Sequence, residues 1–235
     1  MNWKIRSAGT CVAHNGGMRN LSRALVVAVA FLVLAALLSF ASKQFSMPVA
    51  RDAQTYPAHD IHNDEKVTIA ADPYDTTDKG AIFTQKYAES GYLPIFLVIT
   101  NNSDEPVSMP DIRVEFVTQH TKIASATMDD LYRRFSTVKR RGDEPRTNPL
   151  PYPFPKKGPQ AGVNQHASDE FHAAMFQAKA VEPHSSQAGF FFFDVDDISQ
   201  PLAGAHLYVN GVRDNNGQEL MYFDIPMEKY VSAAK

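Results

Sequence analysis

The densest set of potential ligands and proton carriers in the chain is His59-Asp60-Ile61-His62-Asn63-Asp64-Glu65. Two histidines three apart, with carboxylates beside them, offer imidazole nitrogen and carboxylate oxygen to a transition metal, and His59, His62 and Asp64 are the candidate ligands. A structural or catalytic ion needs a third and fourth ligand held by the fold. The segment shows no periodicity that would hold them, so a solvated polar arm is the simpler reading. Asp194, Asp196 and Asp197 at a strand end, and Asp214-Asn215-Asn216-Gly217, offer oxygen ligands to calcium. Neither has the acidic spacing of a calcium loop, and both read as strand exits or turns. His184 and His206 are the two remaining histidines expected to approach each other. The sequence contains no G-x-S-x-G elbow, no H-E-x-x-H, no glycine-rich phosphate loop and no dinucleotide fingerprint, and no cofactor is expected.

A different kind of surface is written between Lys139 and Lys157. Lys139, Arg140, Arg141, Arg146, Lys156 and Lys157 face only Asp143 and Glu144 in charge, and Leu150, Tyr152 and Phe154 stand between regularly spaced prolines. Extended proline-rich backbone loses little entropy when bound and keeps alternate side chains available. Arg140, Arg141, Tyr152, Phe154, Lys156 and Lys157 are therefore the candidate partner-binding residues.

These segments sit on a β-rich frame. In Gln187-Ala188-Gly189-Phe190-Phe191-Phe192-Phe193-Asp194-Val195 both alternating sets of side chains are apolar, which predicts a strand covered on both faces in the middle of a sheet. Tyr92 to Thr100 has the same character and is expected as the central strand of a partner sheet. Lys66 to Ala71 predicts a first strand ended by Pro73, Ala81 to Phe83 a short one, Ile112 to Val117 a half-exposed one, and Lys122 to Ala126 its return. Ala205 to Asn210 and Leu220 to Ile225, joined through Asp214 to Gly217, predict a hairpin. Between the two halves lies an insertion at 127–183. One helix is expected after Thr127, with Met128, Leu131, Tyr132 and Phe135 on its apolar face, and a second from Ser168, with Phe171, Ala174, Met175 and Ala178. Helices this short are marginal alone, so their apolar faces must dock, and the outer side of the phenylalanine strand needs such a cover.

Ala24 to Ala41 is an uninterrupted apolar run preceded by Lys4, Arg6, Arg19 and Arg23 and by no acidic residue, which predicts an export segment with its basic flank in the cytoplasm. It is either a signal peptide, cleaved after Ser39-Phe40-Ala41 so that the mature chain begins near Ser42, or a retained membrane anchor. Met18 is an alternative start. The remainder carries four more negative charges than the −3 of the whole chain, which argues against nucleic acid as a partner. Cys11, the sole cysteine, precedes the apolar run, so no disulfide framework is available beyond it.

The expected organisation is a basic n-region at 1–23, a signal-peptide core or membrane anchor at 24–41, a linker at 42–65 and a mainly β domain at 66–232. That domain is an Ig-like antiparallel β-sandwich with a two-helix, proline-rich insertion, preceded by an N-terminal hydrophobic export helix. Through Pro183 to Val195 (PHSSQAGFFFFDV) and Pro201 to Asp214 (PLAGAHLYVNGVRD), the chain from Tyr56 onward resembles exported bacterial proteins that carry a signal segment and an Ig-like sandwich. The resemblance implies that fold and a periplasmic or secreted location, and no activity. The function expected is a non-enzymatic exported or membrane-anchored envelope protein that binds a protein or other envelope component. The alternative is a hydrolase or metal-dependent enzyme with a site at one end of the sandwich.

Overall fold

Ten short strands alternate with turns and four short helices in a computed structural model that describes residues 44–136 and 165–233. The fold is mainly β and its sheets are antiparallel. The first sheet has the order β1 (Ala58–His62), β2 (Val67–Pro73), β3 (Tyr92–Asn101), β8 (Ser185–Asp194). The second has the order β10 (Phe223–Pro226), β9 (His206–Asn210), β5 (Arg113–Val117), β6 (Lys122–Ala124). A small ribbon pairs β4 (Val107–Ser108) with β7 (Ala180–Val181).

Strand alternation explains how the layers meet. Ile69, Ile95, Leu97, Ile99, Phe191 and Phe193 from the first sheet share one core with Val114, Phe116, Leu207, Val209, Phe223 and Ile225 from the second. The opposite face of the first sheet, with Ala70, Phe96, Val98, Phe190 and Phe192, is buried in a second cluster. Its cover is made by Phe83 and Tyr87, by α2 (Met128–Phe135) through Leu131, and by α3 (Gln165–Ala174) through Phe171 and Ala174. The insertion helices dock on the outer side of the phenylalanine strand, with Phe135 and Met175 packed against the same cluster, although the second helix, expected from Ser168 through Ala178, runs from Gln165 to Ala174.

Several expectations need correction. The phenylalanine strand is covered on both faces, yet β8 is the outer strand of its sheet, hydrogen-bonded in register with β3 (Ile95 opposite Phe191, Phe96 opposite Phe190). Burial of the two faces is decided by the layers above and below, and says nothing of lateral position. Its open edge is closed by other means. Phe176 N–H donates to the Phe190 carbonyl at 3.1 Å and Ala126 N–H to the Phe192 carbonyl at 2.7 Å, which removes part of the unpaired edge. Gly189 lets this happen, since a Cβ there would stand 2.4 Å from the Phe176 Cα. The same contact explains why α3 stops at Ala174, because Met175 leaves the helix to bridge Phe190.

Residues 44–65, expected as a linker, belong to the compact unit that begins at Gln44. Phe45 stacks on Phe83 at 5.5 Å, Ala53 and Tyr56 are buried in the second cluster, and Ala58–His62 forms the edge strand β1, paired antiparallel with β2. In place of a strand at 81–83 there is a single helical turn, α1 (Thr77–Gly80), after which Phe83 turns inward. A C-terminal helix, α4 (Glu228–Ala233), buries Tyr230. The strands β2, β5, β6 and β9 lie where the patterns predicted them, β10 begins at Phe223 and not at Leu220, and Tyr92–Asn101, expected as the centre of a partner sheet, pairs with the phenylalanine strand within one sheet.

The start of α2 is a complete capping box. Thr127 Oγ1 accepts from Asp130 N–H at 3.3 Å, while the Asp130 carboxylate accepts from Thr127 N–H at 2.9 Å and from its hydroxyl at 2.7 Å. The side-chain bond from Thr127, then its backbone bond, holds the Asp130 carboxyl below its ordinary 3.8. A depressed carboxyl contributes stability above the unfolded pKa and loses it as pH falls through the folded one, so this cap weakens below about pH 4. Thr127→Ala is expected to cost about 1 kcal/mol at pH 7, measured by urea denaturation, and less at pH 3.

Candidate functional site

A cleft of about 560 Å³ opens at the end of the first sheet where β3 begins and β8 ends. It is lined by the apolar side chains of Leu93, Val195, Ile198, Leu202 and Val231, by Tyr74 and Tyr92, and by the polar side chains of Asp75, Asp196 and Gln200. Local chemistry explains each wall. Gly91 adopts φ +79° and turns the chain into β3, and Val195 N–H donates to its carbonyl at 2.8 Å, so the entry of β3 and the exit of β8 are tied together. The turn from Gln200 to Ala205 then folds Leu202 back over the core.

Both rim carboxylates are already engaged. Asp75 accepts the Tyr230 hydroxyl at 2.7 Å. Burial first, and that bond second, push the Tyr230 phenol well above its ordinary 10. Asp196 lies 3.5 Å from Arg134, whose other guanidinium nitrogen binds Asp194 at 2.6 Å while its carbon stands 5.4 Å over the Tyr92 ring. The Asp194 bond raises the Arg134 pKa, and burial raises that of Tyr92. Tyr74 is pushed up to about 12, chiefly by burial and then by the Asp72 charge. The cleft thus presents neutral phenols and compensated charges. Asp194 and Asp196, read from the sequence as a solvated strand exit, are exposed at the end of β8 and also anchor the end of α2.

No protein-family model matches the chain, and no curated protein or solved structure is similar to it. The reading of function therefore stands on the residues themselves.

The candidate metal ligands do not converge. His59 and His62 fall on opposite faces of β1. His59 Nδ1 is 2.6 Å from the Tyr56 carbonyl, whereas His62 stacks on Phe223 at 3.8 Å, with Asp60 at 3.7 Å and Glu65 at 4.0 Å. Asp64 is exposed in the turn between β1 and β2. Among the described residues no group of three or more His, Cys, Asp or Glu is placed to hold an ion. His62 serves the joint between the two sheets, where Asp60 also accepts from Asp224 N–H at 2.9 Å. His184 and His206 have separate partners, Asp104 at 3.1 Å and Asp224 at 2.7 Å. Arg140, Arg141, Tyr152, Phe154, Lys156 and Lys157 lie outside the described residues.

Sequence reasoning missed the cleft. Its walls come from four separated stretches of chain, and the one local signal was the doubled turn Gln200-Pro201-Leu202-Ala203-Gly204, with an apolar residue inside it.

Proposed function

We propose that this protein is a non-enzymatic, exported or membrane-anchored envelope protein whose Ig-like β-sandwich is a binding module, taking an apolar side chain of a protein partner into the cleft at the end of the first sheet. The observation that carries this reading is the state of the cleft's polar groups. Asp75 accepts the Tyr230 hydroxyl at 2.7 Å, Asp196 lies 3.5 Å from Arg134, and no imidazole lines the cleft beside them to form a carboxylate–imidazole pair for general acid or base catalysis. What is left for a ligand is an apolar floor with aromatic walls, which suits recognition of an aliphatic or aromatic group. The apolar run from Ala24 to Ala41, with its basic flank, supports export, and the basic, proline-spaced strip between Lys139 and Lys157 is the second surface of this reading.

Methyl NMR of the full chain tests the cleft directly. Titration with N-acetyl-leucinamide and N-acetyl-phenylalaninamide is expected to shift the methyl resonances of Leu93, Val195, Leu202 and Val231 while leaving those of Val114 and Val209 in place. If the cleft methyls stay fixed and the chain instead turns over ester or phosphoester substrates, the hydrolase alternative replaces this reading.

A further inference from the structure

We propose that the groove beside the turn between β9 and β10 is a docking site for a basic segment of a partner protein, one that carries an aliphatic side chain between lysines or arginines. The groove, about 400 Å³, lies where three turns meet, those between β1 and β2, between β3 and β4, and between β9 and β10. Its apolar part is made by Pro106, Val107, Leu220 and Met221. The third turn is held by its own bonds. Asp214 Oδ1 accepts Asn216 N–H at 2.9 Å and Gln218 N–H at 2.8 Å, Gly217 supplies φ +80°, and Leu220 N–H donates to the Val212 carbonyl at 2.8 Å. Leu220 and Met221 are thereby presented at a fixed place, and Met221 is left 71% exposed beside the other apolar side chains of the groove. Contiguous apolar surface rimmed by polar groups marks a place where another chain is taken up, and the unbranched thioether of methionine adapts to aliphatic partners.

Charge decides the partner. Glu65, Glu105, Asp214 and Glu219 line the groove, and no lysine, arginine or histidine does. Among the described residues the one basic side chain within ion-pair distance of these four is His62, 4.0 Å from Glu65, and it also faces Asp60 at 3.7 Å. The cations next to them in sequence are turned to carboxylates outside the groove, Lys66 to Asp104 at 3.9 Å and Arg213 to Asp111 at 3.5 Å. Glu219 is fixed in place by accepting Gly211 N–H at 3.0 Å, whereas Glu105 makes hydrogen bonds through its backbone alone. Like charges gathered around an apolar groove repel one another until a cation enters, and they disfavour an anionic partner. A bare metal ion would leave the apolar wall wet, and among the described residues no three ligands are placed to hold one. An aliphatic side chain flanked by ammonium or guanidinium groups uses both features, the side chain on Met221 and the charges on the rim.

Methyl NMR of the full chain tests this with three amidated tripeptides of similar shape, acetyl-lysyl-leucyl-lysine, acetyl-glutaminyl-leucyl-glutamine and acetyl-glutamyl-leucyl-glutamate. The lysine peptide is expected to shift the methyl resonances of Met221, Leu220 and Val107 and, at low salt, to bind about ten-fold more tightly than the glutamine peptide. That preference should shrink as salt is raised, and the glutamate peptide should shift nothing. Glu105→Gln should reduce the preference for lysine about three-fold, and Met221→Ala should weaken the lysine peptide about five-fold, read from Leu220 and Val107. Both side chains are exposed, so neither change touches the core. Equal binding of the lysine and glutamine peptides would overturn the proposal, as would shifts confined to residues outside the groove. So would the same shifts produced by calcium chloride or spermidine and not by the peptides. The groove shares no residue with the cleft at the end of the first sheet, so a failure here leaves the cleft titration standing.

Discussion

Phe192→Ala is expected to lower the stability of the domain by about 3–5 kcal/mol, seen as a shift of the urea midpoint with an unchanged slope. Phe192 is fully buried on the face of β8 that meets the helical cover, and its ring lies 4.6 Å from that of Tyr87 and 6.3 Å from that of Phe190. Truncation removes the transfer energy of the ring and leaves a cavity. The walls cannot collapse freely into it, because Leu131 and Phe171 are held by their own helices and β8 is held by ten paired positions along β3. Phe191→Ala offers a comparison on the other face. Phe191 retains 9% exposure and stacks on Phe176 at 5.5 Å, near the covered edge, so its loss should cost less than that of Phe192. A change below about 1 kcal/mol for Phe192→Ala would mean that the helices α2 and α3 do not pack on the sheet as described.

That packing was readable from residue types alone, and the reason is instructive. Leu131, Phe135, Phe171 and Met175 recur at helical spacing next to a strand that is apolar on both sides, and a strand of that kind has no stable arrangement without a second cover. The half-exposed strands were readable for the complementary reason. In β5, β9 and β10 every second residue meets water, so the polar positions mark the period. β1 left no such trace. Ala58-His59-Asp60-Ile61-His62 is polar on both faces, because an edge strand at the joint between two sheets is half exposed on each, and its pairing is imposed by β2 beside it. The same reasoning accounts for the misplacement of the phenylalanine strand. Apolar character on two faces is common to a central strand and to an outer strand whose edge is capped, and the capping groups, Phe176 and Ala126, come from outside the strand. The cleft is a still longer-range product. Tyr74, Leu93, Val195, Leu202 and Val231 share no spacing, and only the meeting of the β3 entry with the β8 exit assembles them. A candidate site read from adjacent ligands, such as His59 and His62, fails by the same logic, since the two-residue period of a strand sends side chains three apart to opposite faces.

Glu170→Ala should be the most damaging single polar change, at about 3–5 kcal/mol. Glu170 is only 3% exposed and sits among Phe171, Tyr87 and Phe83, where a carboxylate is expensive unless every lone pair is used. Here it is used. Glu170 accepts Thr84 N–H at 2.8 Å, Gln85 N–H at 3.2 Å and the Thr84 hydroxyl, so one side chain on α3 satisfies the backbone of the loop just after α1, more than eighty residues away in sequence. The Tyr87 hydroxyl lies buried beside it without completing a hydrogen bond, and burial, followed by the Glu170 charge, pushes that phenol far above its ordinary range. Removing the carboxylate leaves two part-buried N–H groups and a hydroxyl without their acceptor and frees the loop they hold. Glu170→Gln keeps the shape but turns one acceptor oxygen into a donor facing an N–H, so its cost should fall between wild type and alanine. Amide hydrogen exchange separates this account from a general loosening. In Glu170→Ala the amides of Thr84 and Gln85 should lose protection first and most, while those of β2 and β3 follow only the global stability. Equal acceleration at all of these sites, or a glutamine variant as unstable as the alanine one, would show that the carboxylate fills space and does not hold the loop.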